Sequence, residues 1–372
     1  MPRIKVLNVT KTYGAVKALR DVSLEIQDGE YLSIVGPSGC GKTTLIKCIA
    51  GIIRPDRGEI YIDDIPVVAL PIEDRNLGYV FQEIALFPHM SLWDNVSYGL
   101  MVKGMPPSKR RGQVREMLGM MGLEERANAY PRELSGGARQ KTALARALAS
   151  GAKLLLLDEP LGALDAKVRA KLRYELRSLV KDLGLTAIHV THDQEEALSI
   201  SDRVAIMRAG SIVEVGAPWD LYMHPRHIFT ARFLGEANFM EGRVVGISGG
   251  DYLIDVGGLD IMAPINPSIP LESGKPCVLA IRPEFLRLME KVRGSSKANL
   301  LRGTVRDGVF LGNSFRYEVE VKEGIRLSAR HPVFLGELDL QPGDQVYVEI
   351  PKGRILVFPY PEGGLEAQLS LE

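Results

Sequence analysis

Residues Gly36-Pro37-Ser38-Gly39-Cys40-Gly41-Lys42-Thr43 fit the pattern G-x-x-x-x-G-K-[ST], and no other stretch of the chain restricts its fold as severely. The pattern carries meaning only between a strand and a helix. Both are predicted here. Tyr31 to Val35 is a short apolar run ending at Gly36, and Thr44 to Ala50 continues with helical spacing and stops at Gly51. Glycines in such a turn let successive backbone N–H groups face one anion. The helix that follows directs the positive end of its dipole at the same point. Lys42 is then expected to reach the outer phosphates of a nucleotide, and the Thr43 hydroxyl to ligate Mg²⁺. A glycine-rich turn that merely matches the string is the alternative, and the flanking elements argue against it. Cys40 reads either as a small residue without a role or, beside a helix N-terminus, as a thiol made more acidic and alkylable.

Leu154 to Leu157 lead into Asp158 and Glu159. Four consecutive leucines suit a strand covered on both faces, and ligands of open α/β sheets sit beyond strand carboxyl ends. Asp158 is placed to hold Mg²⁺ through its water shell. Glu159 is expected to point the other way by strand alternation, where a carboxylate could accept a proton from water attacking a γ-phosphate. Two solvated acids are the bland alternative, and the phosphate loop weighs against them. Val168, Leu172, Leu176, Leu179 and Leu183 recur at helical spacing before Gly184, and Leu185 to Val190 reads as another buried strand. Strands alternating with helices imply a parallel α/β sheet.

From about Pro88 to Gly151 the pattern turns helical, with Val114, Met117, Leu118 and Met121 on one face. This stretch is expected to be a helical insertion. Beyond about Gly235, short alternating runs (Tyr252 to Val256, Phe315 to Val321, Gln345 to Ile350) lie between Gly, Pro and Asp turns, the texture of small antiparallel barrels or sandwiches. Gly242-Arg243-Val244 and Gly303-Thr304-Val305 suggest a faint repeat. Residues 236–372 carry 15 basic and 19 acidic side chains, so this region lacks the positive groove of a nucleic-acid-binding barrel.

The whole chain of 372 residues balances 46 Lys+Arg against 46 Asp+Glu, which excludes a polybasic nucleic-acid binder. Its apolar fraction of 45% excludes disorder as the main state. No run of about 18 apolar residues occurs to span a bilayer. Met1 to Lys11 reads as a strand, not a secretory segment. Cys40, Cys48 and Cys277 lack metal or disulfide spacing, which fits a reducing cytoplasm.

The chain resembles the ATP-binding cassette family. The telling segment is Leu134-Ser135-Gly136-Gly137-Ala138-Arg139-Gln140, similar to that family's signature sequence, with Ala138 where Gln is usual. Ser135 is a good N-cap for an amphipathic helix through Ala143, Leu144, Ala147 and Leu148, and the open N–H groups there form a second anion site. A capped helix without a ligand is the plain reading of that segment alone. The resemblance implies an α/β phosphate-loop ATPase with an inserted helical subdomain (about 88–151) in residues 1–235, then an all-β OB-like barrel domain in 236–372. It implies ATP and Mg²⁺ as cofactors. Gly36 to Thr43, Thr44, Tyr13 stacking on adenine, and Ser135, Gly136, Gly137 and Asp165 are the implied nucleotide-binding residues. Glu159, His192 and Gln82 are the implied catalytic ones, and Thr43, Gln82 and Asp158 the implied metal site. On the residues alone, Gln82 reads as a surface glutamine, Tyr13 as a turn tyrosine before Gly14, Asp165 as a helix cap, and His192 as a structural histidine at a strand end.

The family likeness further implies a homodimer in which each signature caps the partner's nucleotide. It implies docking on two transmembrane permease subunits, an indirect link to an extracytoplasmic solute-binding protein, and no nucleic acid. The segment Glu83 to Met105, with Leu86, Phe87, Met90, Leu92 and Trp93, is the expected docking region, unless these are core residues. The expected role is to power import of a solute, with a maltose-type sugar favoured, at the cytoplasmic face of the membrane. A soluble cassette ATPase acting on nucleic acid or ribosomes is the alternative, but the long coiled-coil inserts or paired cassettes of such proteins are absent.

Overall fold

The computed structural model describes residues 2–266, 270–291, 299–335 and 338–370. The chain divides into two compact units, one up to Leu221 and one from Tyr222 onward.

The leucine run forms the strand Leu154–Asp158, and its alternation shows why both faces must be apolar. Leu154 and Leu156 enter one core; Leu155 and Leu157 enter another on the opposite face. The strand belongs to a six-stranded sheet ordered Ser211–Gly216, Arg203–Arg208, Tyr31–Val35, Thr186–Val190, Leu154–Asp158, Leu77–Val80. All neighbours are parallel except the antiparallel edge strand Ser211–Gly216. The helix Lys42–Ala50 covers one face through Leu45, Ile46 and Ile49.

A second, four-stranded antiparallel sheet closes over that helix, and the expectation of simple β/α alternation did not foresee it. Its order is Val16–Ile26, Ile4–Tyr13, Arg57–Ile62, Ile65–Pro66. Val22, Leu24 and Ile26 alternate into the shared core with Ile4 and Val6.

The opposite face of the parallel sheet is covered by the helices Leu92–Val102, Pro107–Met120 and Gly136–Ala149 and by Ala166–Asp182. The insertion is helical as expected, and Val114, Met117, Leu118 and Met121 are buried. Leu92 belongs to this core, and Leu86 and Trp93 are packed against it. Phe87 is half-buried, tilted against Tyr98 with ring centres 4.7 Å apart, beneath the Arg146 guanidinium.

The second unit contains two five-stranded antiparallel sheets around one core. The strands Asn238–Ser248, Asp251–Asp255 and Asp260–Pro264 form a meander, and Pro276–Ile281 returns to pair on the other side of the first strand. The next strand, Arg287–Met289, leaves to edge the second sheet. The pattern then repeats. Leu300–Phe310, Ser314–Lys322 and Ile325–Pro332 meander, Gln345–Glu349 returns beside the first of them, and Leu356–Pro359 crosses to edge the first sheet. The faint repeat thus lies in the two long central strands, each with a register irregularity just past its valine, Val244 or Val305.

The sequence texture changes near residue 235, whereas the compact units divide at 221/222. The helix Ile228–Phe233 explains the difference. Its Ile228 and Ala231 pack on Val278, Ala280, Phe358 and Leu365 of the second unit. Arg282, 2% exposed, donates to the carbonyls of Tyr222 and Glu236 with its guanidinium 3.7 Å from the Tyr222 ring centre. Burial lowers its pKa from the usual guanidinium value, and presses the Tyr222 phenol up to about 12.

Candidate functional site

The loop between Tyr31–Val35 and Lys42–Ala50 is built on glycines that no other residue could replace. A Cβ on Gly36 would lie 2.2 Å from the Met207 carbonyl oxygen, and one on Gly41 would lie 2.3 Å from that of Ala18. Gly41 also has φ +105°, a region closed to L side chains. It is the N-cap of the helix, and no side chain caps it, so the helix N-terminus keeps donors for an anion. Ser38, Gly39, Gly41, Lys42, Thr43 and Thr44 line a cavity of about 220 Å³, together with Ala18 and Glu159. The buried Lys42 ammonium donates to the carbonyls of Gly36 (2.7 Å) and Pro37 (2.9 Å). Cys40 is buried, and burial pushes its thiol above the ordinary value despite the nearby Lys42. Of the two readings of Cys40, the acidified thiol is the one this disfavours: desolvation outweighs the helix end and the ammonium.

Four strand ends bring the remaining groups together. Thr43 Oγ1 donates to Asp158 Oδ1 at 3.1 Å, and Tyr79 OH donates to Asp158 Oδ2 at 3.0 Å. Gln82 Nε2 donates to Glu159 Oε2 at 3.0 Å, and His192 Nδ1 lies 3.1 Å from the same oxygen. Thr43, Asp158, Gln82, Glu159 and His192 thus meet across residues distant in sequence. Strand alternation does not set the direction of Glu159, which corrects the sequence expectation. The strand ends at Asp158, and Glu159 takes φ +47°, a conformation costing a non-glycine residue about 1–3 kcal/mol. Its N–H, donated to the Val190 carbonyl at 2.9 Å, secures that turn.

Thr43, Asp158 and the Gln82 amide oxygen are hard oxygen donors suited to Mg²⁺. Among the described residues no cluster of three or more His, Cys, Asp or Glu could hold a metal alone.

Other candidates stand apart from this cavity. Ser135 is exposed and caps the helix Gly136–Ala149, accepting from Ala138 N–H at 3.3 Å. Gly136 and Gly137 leave little room beside them: added Cβ atoms would lie 3.0 Å from Leu164 and 3.1 Å from Val168. Asp165 caps Ala166–Asp182, accepting from Val168 N–H at 3.0 Å. Tyr13 is half exposed, next to Gly14 at a hairpin turn, with the Lys11 ammonium 5.6 Å from its ring centre. None of Tyr13, Ser135, Gly136, Gly137 or Asp165 lines the phosphate-loop cavity.

Sequence reasoning missed two supports. One is Tyr79. The other is a buried chain behind His192: Tyr31 OH lies 2.8 Å from His189 Nδ1, His189 Nε2 lies 3.1 Å from Glu196, and Thr191 Oγ1 donates to Glu196 at 2.8 Å. Burial raises the Glu196 carboxyl, but His189 and Thr191 outweigh it and hold the group below its ordinary value. Asp193 N–H donates to Thr191 Oγ1 (3.0 Å) and its carboxylate pairs with Arg169 and Arg173. These bonds fix the turn that presents His192. The one sequence signal was that His189 interrupts an apolar run in a strand expected to be buried.

Two family models match the chain: ABC transporter over residues 19–162 and TOBE domain over residues 279–358. The chain is 40% identical over 331 residues to the spermidine/putrescine import ATP-binding protein PotA of Pseudomonas aeruginosa, covering 89% of this chain and 91% of that protein. It is 38% identical to the protein of the same name from Thermotoga maritima, covering 93% and 95%. It is 41% identical to the Fe(3+) ions import ATP-binding protein FbpC of Brucella abortus, covering 85% and 87%. Among solved structures, a dimeric post-hydrolysis ATP-binding cassette, MJ0796 bound to ADP and Pi, superposes with TM-score 0.53 at 37% identity, covering 58% of this chain and 98% of that one.

Proposed function

The chain belongs to the ABC transporter family of ATP-binding proteins, and from that premise we propose that it is the subunit whose ATP hydrolysis drives a membrane importer, acting as a homodimer on two permease subunits. The observation that carries the reading is the meeting of Glu159, Gln82 and His192 at the mouth of the phosphate-loop cavity.

The proposed cycle assigns each group one task. The loop from Gly36 to Thr43, with Thr44, surrounds the triphosphate, and Lys42 exchanges its loop carbonyls for phosphate oxygens. Thr43, Asp158 and Gln82 hold Mg²⁺, which neutralises charge on the β- and γ-phosphates when bound. Glu159 takes the proton of the attacking water. His192, held by the Thr191–Asp193 turn, donates toward the γ-phosphate. Tyr13 stacks on adenine. Ser135, Gly136 and Gly137 serve the nucleotide of a second copy, with Asp165 beside them. The exposed position of Ser135 supports this, since a capped helix N-terminus free of its own phosphate loop suits an anion brought by a partner. Closure is then driven by ATP binding two copies at once. Shifting a 1:99 equilibrium to 99:1 needs about 5.5 kcal/mol of differential binding.

Among the described residues no helix is long and apolar enough to cross a membrane, so the proposed coupling runs through docking of the permease, on the segment Glu83 to Met105. The half-buried Phe87 and Met90 there support a groove, whereas Leu92 is committed to the core. The second unit presents Phe310, Leu311, Val333, Phe334 and Leu335, of which Phe334 is 84% exposed. Register places these side by side, because Ser314 bonds Leu311 and Asn313 bonds Val333; they support a resting contact between two copies. For the cargo, the named relatives support a polyamine, or else ferric iron, in place of the expected sugar. Reconstitution in vesicles with the cognate permease and solute receptor tests this. Spermidine is expected to stimulate ATP hydrolysis and enter the vesicles; stimulation by maltose and not by spermidine would reverse the assignment.

A further inference from the structure

The tasks above leave one contact of the site without a role. Asp158 has two carboxylate oxygens. Thr43 donates to one, and Tyr79 donates to the other at 3.0 Å. The carboxylate torsion of an aspartate is broad and roughly two-fold, so a single hydroxyl partner would leave its plane free to turn. Tyr79 lies on the neighbouring strand Leu77–Val80, opposite Leu156. Leu156 and Asp158 are two residues apart and share a face, so the phenol reaches the acid diagonally. Asp158 is 3% exposed, which shields the bond from competing water. The ring also meets Phe81 in a tilted contact, with centres 4.5 Å apart, but its hydroxyl is anchored on Asp158.

We propose that Tyr79 is a positioning residue of the divalent-cation site, fixing the Asp158 carboxylate plane so that the oxygen beside Thr43 faces the cation. This rests on the assignment of Asp158 to Mg²⁺ made above. Hydrogen-bond partners of ligating carboxylates commonly set metal affinity by about 10–100-fold. The geometry adds a linkage. Tyr79 and Gln82 lie three residues apart at the end of one strand, and they hold Asp158 and Glu159 respectively. One strand end therefore governs both acids, and its displacement would alter cation affinity and base placement together.

The test uses the full chain with ADP and Mn²⁺, read by electron paramagnetic resonance as free against bound ion. Tyr79→Phe removes only the hydroxyl. It is expected to weaken Mn²⁺ binding about 10–100-fold, leave nucleotide affinity in excess EDTA unchanged, and recover turnover at high Mg²⁺. Phe81→Leu, which disturbs the ring contact but keeps the hydroxyl, should bind Mn²⁺ like the parent. Asp158→Asn separates the two layers of the argument. If it keeps parental Mn²⁺ affinity, the cation assignment itself falls. If it loses the ion while Tyr79→Phe binds as tightly as the parent, or if Phe81→Leu weakens binding equally, the role of the Tyr79 hydroxyl is overturned and the assignment survives.

Discussion

Both units bury a guanidinium against their own backbone carbonyls, Arg75 in the first on Cys48 and Ile49 and Arg282 in the second, but they differ in where their other polar side chains gather. In the first, polar side chains cluster at the carboxyl ends of parallel strands: Thr43 and Tyr79 donate to Asp158, and Gln82 and His192 both meet Glu159. In the second, the large buried cation Arg282 is turned inward and given to backbone carbonyls of its own unit. The difference follows from sheet type. Parallel strands open a crevice at one end where side chains converge on a ligand, whereas antiparallel meanders close on themselves. Removing polar groups should therefore abolish chemistry in one unit and fold in the other.

The sharpest break is expected from Glu159→Gln. Turnover should fall about 10²–10⁴-fold, as for loss of a general base, with ATP still bound and a closed dimer accumulating in size-exclusion chromatography. Unchanged turnover removes Glu159 from the chemistry. Next comes Arg282→Met, which leaves the carbonyls of Tyr222 and Glu236 short of donors at about 1–3 kcal/mol each. Denaturant unfolding should show the second unit destabilised, while titration with a fluorescent ATP analogue finds the first unit intact. A loss of nucleotide affinity would erase the contrast between the units. Lys42→Ala should cost about 1.5–3 kcal/mol of ATP binding, the worth of a charge-assisted bond, measured by calorimetry; equal affinity contradicts the phosphate-loop assignment. The smallest effect separates capping from a role toward a second copy. Asp165→Asn keeps an equivalent N-cap and should leave the melting temperature unchanged, whereas Asp165→Ala should lose about 1 kcal/mol. If Asp165→Asn nevertheless slows turnover, the carboxylate acts beyond its own helix.

What the sequence made legible was local. The phosphate loop, the leucine strand and the helix through Leu172 and Leu176 each carry their pattern within a dozen residues, and each formed where periodicity placed it. Glu159 is legible from its strand end, and Gln82 and His192 only through family likeness, but their common meeting point depends on three parallel pairings, which no local window contains. Tyr79 stayed hidden for the same reason: its partner is fixed by register against Leu156. The direction of Glu159 was misread because a positive φ at the strand end is a tertiary consequence, imposed by the bond to Val190. The covering sheet from Ile4 to Ile62 went unrecognised because its alternation looks like any half-buried strand until its partner is known.

The exchange of edge strands in the second unit has a lasting consequence. Leu356–Pro359 completes the sheet begun by Asn238–Ser248, and Arg287–Met289 completes the one begun by Leu300–Phe310. Loss of the strand Leu356–Pro359 would therefore damage the half encoded first, and neither half can be excised as a spare part. Such interlacing ties synthesis to assembly: the earlier half must wait, with an edge open, until the strand Leu356–Pro359 has left the ribosome.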